Sequence, residues 1–122
     1  MKIHESGEDY LETILMLCKE NGTARSVDIA AHLGVTKPSV SFAMKKLREN
    51  GYILMGDDNR ITLTETGEAI AGRILERHDL LTRMLIMLGV NEETARQDAC
   101  KIEHDLSDEA FEAIRRHIEM MS

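Results

Sequence analysis

Residues 26–64 read SVDIAAHLGVTKPSVSFAMKKLRENGYILMGDDNRITLT, and their punctuation decides the fold. From Ser26, a short run carries Ile29, Ala30 and Leu33 at helical spacing and stops at Gly34. Thr36 is a good N-cap, and Pro38 is tolerated in a first turn, so a second helix is predicted from Thr36 to Gly51. Two helices joined by a tight turn at Gly34–Val35 make a helix-turn-helix. Next, YILM and RITLT flank Gly56-Asp57-Asp58-Asn59, with Ile61 and Leu63 alternating with Thr62 and Thr64. That pattern predicts a β-hairpin. A hairpin directly after the second helix is a wing, so the expected class is mainly α with a winged helix-turn-helix.

Helices are predicted on both sides. Ser6 to Asn21 forms one, with Ser6 as cap, Glu8 and Asp9 in the first turn, and Leu11, Ile14, Leu15 and Cys18 on one side. Thr64 caps a long helix to about Leu88, striped by Ile70, Ile74, Leu81, Leu85 and Leu88 and stopped by Gly89. Asn91 caps another to about Asp105, and Ser107 caps a last one bearing Phe111, Ile114, Ile118 and Met121. The expected organisation is a winged-helix lobe over residues 1–70 and a helical lobe over residues 71–122.

The 122 residues are 43% hydrophobic without tryptophan, enough for a modest aliphatic core. No stretch nears the ~18 uncharged apolar residues of a membrane span, and no secretory pattern opens the chain. Cys18 and Cys100 lie in different predicted helices and form no disulfide framework, so a cytoplasmic location is expected. The net charge of −7 is unevenly spread. Residues 64–122 hold 7 basic against 13 acidic residues, a balance of −6. Residues 23–50 hold Arg25, Lys37, Lys45, Lys46 and Arg48 against Asp28 and Glu49, a balance of +3. One lobe suits DNA and the other suits cations.

On the second helix of the helix-turn-helix, Val40, Ala43, Met44 and Leu47 share the core face. Pro38, Ser39, Ser41, Phe42, Lys45 and Lys46 point away. An outward phenylalanine has a purpose against a thymine methyl, the serines can bond bases or phosphates, and the lysines can bond phosphates. The alternative is a solvated basic helix with Phe42 tucked under the wing or the other lobe. Arg60 in the wing is a candidate backbone or minor-groove contact.

In the fifth predicted helix, Cys100, Glu103 and His104 stand at i, i+3 and i+4, which gathers a thiol, a carboxylate and an imidazole on one face. The stripe Ala95, Ala99, Ile102 and Leu106 occupies another face. Asp9 and Glu12 form an i, i+3 pair at the polar edge of the first helix, beside Met16, and His78 lies midway along the long helix. Taken singly, these residues have simpler roles: acids at a helix N-terminus, a core histidine, a surface pair. Together, carboxylates, imidazole and one sulfur suit a first-row divalent ion such as Mn²⁺ or Fe²⁺, and a lone cysteine argues against a closed structural zinc site.

The strings EDYLETIL, RSVDIAAHLGVTKPSVSFAMKKLRENGYI, ITLTETGEAIAGRILERHDLL and DACKIEHDLS resemble the diphtheria-toxin-repressor and manganese-transport-regulator family, collinearly over nearly the whole chain. The resemblance implies a cytoplasmic, homodimeric repressor that binds palindromic operator DNA when loaded with one or two Fe²⁺ or Mn²⁺ ions per subunit and controls metal homeostasis. It implies Asp9, Glu12, His78, Cys100, Glu103 and His104 as metal ligands. It suggests Ser26, Thr36, Pro38, Ser39 and Phe42 as DNA contacts, with Lys37 in the same basic stretch. The manganese branch carries Glu at the position of Cys100, and the iron branch carries Met at the position of Asp9. The iron branch's second site uses Glu and His at the positions of Thr82 and Arg96. The SH3-like domain of longer members is not expected. The competing reading is a metal-independent winged-helix regulator that senses a small molecule or thiol oxidation at Cys100. With no H-E-x-x-H, phosphate-binding glycine loop or nucleophile motif, no enzyme is expected. A purely helical interaction module leaves the basic helix and the wing unexplained.

Overall fold

Short polar side chains start most of the helices. In the computed structural model, which describes residues 5–121 apart from the side chains of Glu5 and Ser6, the order is α1 (Glu5–Asn21), α2 (Ser26–Leu33), α3 (Lys37–Glu49), β1 (Ile53–Met55), β2 (Ile61–Leu63), α4 (Glu65–Met87), α5 (Glu92–Asp105) and α6 (Asp108–Met121). Thr36 Oγ1 accepts from the Ser39 amide at 3.3 Å, Thr64 Oγ1 from Gly67 at 3.1 Å, Asn91 Oδ1 from Glu93 at 2.9 Å, and Ser107 Oγ from Ala110 at 3.1 Å. Each satisfies an amide with no partner inside its helix. Ser6 departs from expectation. α1 already begins at Glu5, so Ser6 lies within the helix, and its capping side chain falls outside the described residues.

The chain separates into two compact units, one ending at Arg73 and the other starting at Ile74. In the first, α1, α2 and α3 pack on one another and on the hairpin, burying Leu11, Ile14, Ile29, Val40, Met44, Ile53 and Ile61. The strands are antiparallel with Ile53 opposite Leu63 and Met55 opposite Ile61. Ala24 adds an unforeseen bridge on the other edge of β2: its amide donates to the Ile61 carbonyl at 2.9 Å and its carbonyl accepts from Ile61 at 2.8 Å. The wing is thereby tied to the segment between α1 and α2.

In the second unit Leu81, Ala99 and Phe111 form the buried centre, with Leu80, Met84, Leu85, Ile102, Leu106 and Ile114 packed around it. Leu88 and Met121, expected in the apolar stripes of α4 and α6, are exposed instead. Leu88 lies just past the last residue of α4, and Met121 is the last residue of α6. Ile86, Met87 and Met120 are exposed at the same helix ends.

Gly67 has a steric role. A Cβ there would lie 2.0 Å from the Tyr52 carbonyl oxygen, which also accepts from the Thr64 amide at 3.1 Å. The first turn of α4 can therefore approach the chain just before β1 only without a side chain. Helix propensity alone favours alanine over glycine by about 1 kcal/mol. The close approach reverses that sign: Gly67→Ala should destabilise the protein by about 1–3 kcal/mol, read as a lowered urea midpoint of helical circular dichroism.

Candidate metal centre and nucleic-acid interface

The outward face of α3 is as the wheel predicts. Val40, Met44 and Leu47 are buried, whereas Lys37, Pro38, Ser39, Ser41, Phe42, Lys45 and Lys46 are all exposed. Phe42 is 65% exposed, so it is not tucked beneath the wing. Its ring carries the Lys46 ammonium 5.5 Å from its centroid, a one-turn cation–π pair that holds both side chains on the open surface. Thr36 and Ser39 share a hydrogen bond between their hydroxyls at 2.9 Å. Ser26 opens α2 and is half-buried. In the wing, Asn59 takes a positive φ of 62°, and Arg60 Nε pairs with Asp58 Oδ2 at 3.0 Å, which directs the guanidinium along the loop.

In the first unit Asp9 is half-buried and its carbonyl accepts from the Thr13 hydroxyl at 2.9 Å. Glu12, expected at the polar edge of α1, is buried. Helical periodicity places a residue on a face, but the surrounding elements decide what covers that face.

In the second unit α5 carries three donors in one turn and a half. A ligand atom of Cys100 and one of His104 lie within 4.8 Å of each other, both residues half-buried. Glu103 is buried, its side chain 2% exposed, and His104 Nε2 lies 3.7 Å from its Oε1. The His104 side chain is likewise only 5% exposed. From α4, His78 Nε2 lies 3.1 Å from the Arg96 carbonyl. A carbonyl only accepts, so Nε2 bears the hydrogen, and Nδ1 faces Asp79 Oδ1 at 3.9 Å. That is how a protein orients an imidazole that is to ligate a cation. Burying a carboxylate such as Glu103 is costly without compensating charge or donors, which a divalent cation would supply. The donor set of one sulfur, imidazole nitrogen and carboxylate oxygen fits a borderline first-row ion.

Thr82 and Arg96 offer nothing comparable. The Thr82 hydroxyl donates to the His78 carbonyl at 2.8 Å, and the Arg96 guanidinium pairs with Glu92 Oε1 at 3.0 Å. Arginine has no acceptor, so an iron-type second site at those positions has no support.

Two family models match in sequence order: the iron-dependent repressor N-terminal DNA-binding domain over residues 2–58, and the iron-dependent repressor metal-binding and dimerisation domain over residues 64–122. The chain belongs to the iron-dependent repressor family. Among its relatives, the transcriptional regulator MntR of Escherichia coli O6:H1 is 43% identical over 108 residues, covering 88% of this chain and 70% of that protein. The HTH-type transcriptional regulator MntR of Lysinibacillus sphaericus is 38% identical over 116 residues, covering 95% and 84%. A solved manganese-dependent transcriptional repressor in complex with manganese superposes with a TM-score of 0.85 at 27% identity over 93% of this chain, and IdeR of T. acidophilum with 0.83 at 25% over 98%. The chain spans about half the length of those two structures, 52% and 55%. Family membership brings a DNA-binding part followed by a metal-binding part, the order in which the exposed α3 and the donor-bearing α5 occur.

The most informative residue that sequence reasoning passed over is Arg77. Among Ile70, Ile74, Leu81 and Leu85 it stands where the stripe should continue, and a charge in an apolar stripe is the signal that could have exposed it.

Cys18 has a different character from Cys100. Burial, and then the neighbouring Glu68 carboxylate, push its thiol pKa up, and its Sγ–H points to the Ile61 carbonyl at 3.7 Å. A thiol held protonated is a poor nucleophile. Iodoacetamide at pH 8 should alkylate Cys18 more slowly than free cysteine, and Glu68→Gln should speed the reaction, as read by mass spectrometry of a Cys100→Ser background.

Proposed function

We propose that this chain is a cytoplasmic, homodimeric transcriptional repressor that binds palindromic operator DNA when loaded with one or two Mn²⁺ or Fe²⁺ ions per subunit, governs metal-homeostasis genes and catalyses no reaction. The observation that carries the reading is the α5 face of Cys100, Glu103 and His104, supported from α4 by a His78 ring whose donor nitrogen is already engaged by the Arg96 carbonyl.

His78, Cys100, Glu103 and His104 supply nitrogen, sulfur and oxygen donors from the second unit, and Asp9 and Glu12 add carboxylates from α1. When bound, the cation supplies the positive charge that lets these groups share one place. Asp9 and Glu12 precede the helix-turn-helix while the other donors follow the wing, so common ligation favours the one arrangement in which both sets meet. Differential affinity for that arrangement is all that a population shift requires. In a symmetric dimer it sets two α3 helices about one turn of DNA apart, ~34 Å. The exposed Ile86, Met87, Leu88, Met120 and Met121 suit an apolar contact with a second copy.

On the DNA, Phe42 meets a thymine methyl, Lys37, Lys45 and Lys46 meet phosphates, and Ser26, Thr36, Pro38, Ser39 and Ser41 line the same groove. Arg60 brings the wing to the backbone. Cys100 favours the softer ion and the α1 carboxylates the harder one, so Cys100→Glu should move the preference toward Mn²⁺ and Asp9→Met toward Fe²⁺.

Anaerobic operator-binding titrations should show tight binding only with Mn²⁺ or Fe²⁺, and Glu103→Ala should abolish that dependence. Equal affinity with and without metal, in both proteins, would reject activation. With metal present, Lys45→Ala or Lys46→Ala should each lower the magnitude of the log–log salt slope by about 0.9 for every operator sequence. An effect confined to one base pair would contradict a phosphate role.

A further inference from the structure

Helices α1 to α4 are each followed by a glycine with positive φ: Gly22, Gly34, Gly51 and Gly89. Such a residue lets the chain curl back and satisfy carbonyls at the helix end. α5 has no such stop. Its C-cap, Leu106, is extended at φ −83° and ψ 136°, and Ser107 at once begins the cap of α6. The Leu106 amide satisfies the Ile102 carbonyl at 3.1 Å, and the carbonyls beyond it need another donor.

Arg77 of α4 is that donor. Its Nη2 donates to the Glu103 carbonyl at 3.0 Å and to the Leu106 carbonyl at 2.9 Å, and its Nη1 pairs with Asp108 Oδ1 at 3.2 Å. The guanidinium, its side chain only 13% exposed, lies 4.8 Å from the centroid of Phe111. Arg115 lies 5.0 Å from the same ring and pairs with Glu76, the residue before Arg77. The residue after Arg77 is His78, which grips the Arg96 carbonyl. Consecutive residues of α4 therefore hold α5 at Arg96 and at Glu103, two helical turns or ~10 Å apart. Two such holds oppose sliding of α5 along α4 and rotation about its own axis.

We propose that Arg77 is a positioning residue of the metal centre: by fixing the carbonyl end of α5, it sets the disposition of Glu103 and His104 without touching the cation. The proposal rests on the metal reading above. Lysine cannot replace this arginine, because a point ammonium lacks the planar fork that serves two carbonyls while stacking on a ring. A positive group at a helix C-terminus also complements the helix dipole, which lysine would retain. The charge-conserving change therefore isolates geometry.

The test uses the intact chain with Co²⁺ as probe, following the thiolate-to-cobalt absorption from Cys100, the Co²⁺ affinity by chelator competition, and the thermal midpoint of the metal-free protein. Arg77→Lys should keep its helical content, bind Co²⁺ about 10–100-fold more weakly, and show a shifted or weakened thiolate band at saturation. Wild-type affinity and an unchanged band would overturn the proposal, as would a lowered midpoint with both metal readouts unchanged. Glu103→Ala separates the two levels. If it binds Co²⁺ like the wild type, the metal reading itself fails. If it loses Co²⁺ while Arg77→Lys does not, only the role of Arg77 fails. Should Arg77→Lys not fold, Asp108→Ala removes a single anchor at the exposed surface and should weaken Co²⁺ in the same direction, and an unchanged affinity there would equally overturn the proposal.

Discussion

Burying the Glu103 carboxylate is the costly step around which the second unit is organised. A charged group withdrawn from water must face compensating charge or donors, or it ceases to be charged. The helix that carries it is built for close approach: Ala95 and Ala99, fully buried on α5, keep its packed face thin. The flanking groups then determine what Glu103 meets. Cys100 and His104 share its turn and a half of helix, with His104 Nε2 3.7 Å from Glu103 Oε1.

The first unit obeys a different constraint, the need to display one helix face. α3 buries Val40, Met44 and Leu47 and leaves an exposed strip in which Phe42 and Lys46 lie against each other. The hairpin beside it is held by the Ala24–Ile61 bridge and by the tight seat of Gly67 on Tyr52. The exposed face of α3 thus stands beside a hairpin tied at two places to the rest of its unit.

Much of this was legible in the sequence because the signals are local. Thr36, Thr64, Asn91 and Ser107 mark helix starts through a hydrogen bond spanning two or three residues. The α5 donors were legible because spacings of three and four residues fix a shared face. Non-local features were not legible. The Ala24 bridge joins residues far apart in sequence and leaves no periodicity. The burial of Glu12 and the exposure of Leu88 and Met121 depend on what packs over them, which spacing alone does not carry. Arg77 shows in the sequence as a charge within an apolar stripe, but its carbonyl partners on the next helix leave no mark there.

The account stands on carboxylates near the amino terminus and the α5 donors serving the same cation. Amide hydrogen exchange of the intact chain, compared with and without Mn²⁺, tests this most directly. The account predicts slowed exchange both around Asp9–Glu12 in α1 and in the last two turns of α5. Slowing confined to residues 74–122, with α1 unchanged at saturating metal, would contradict it.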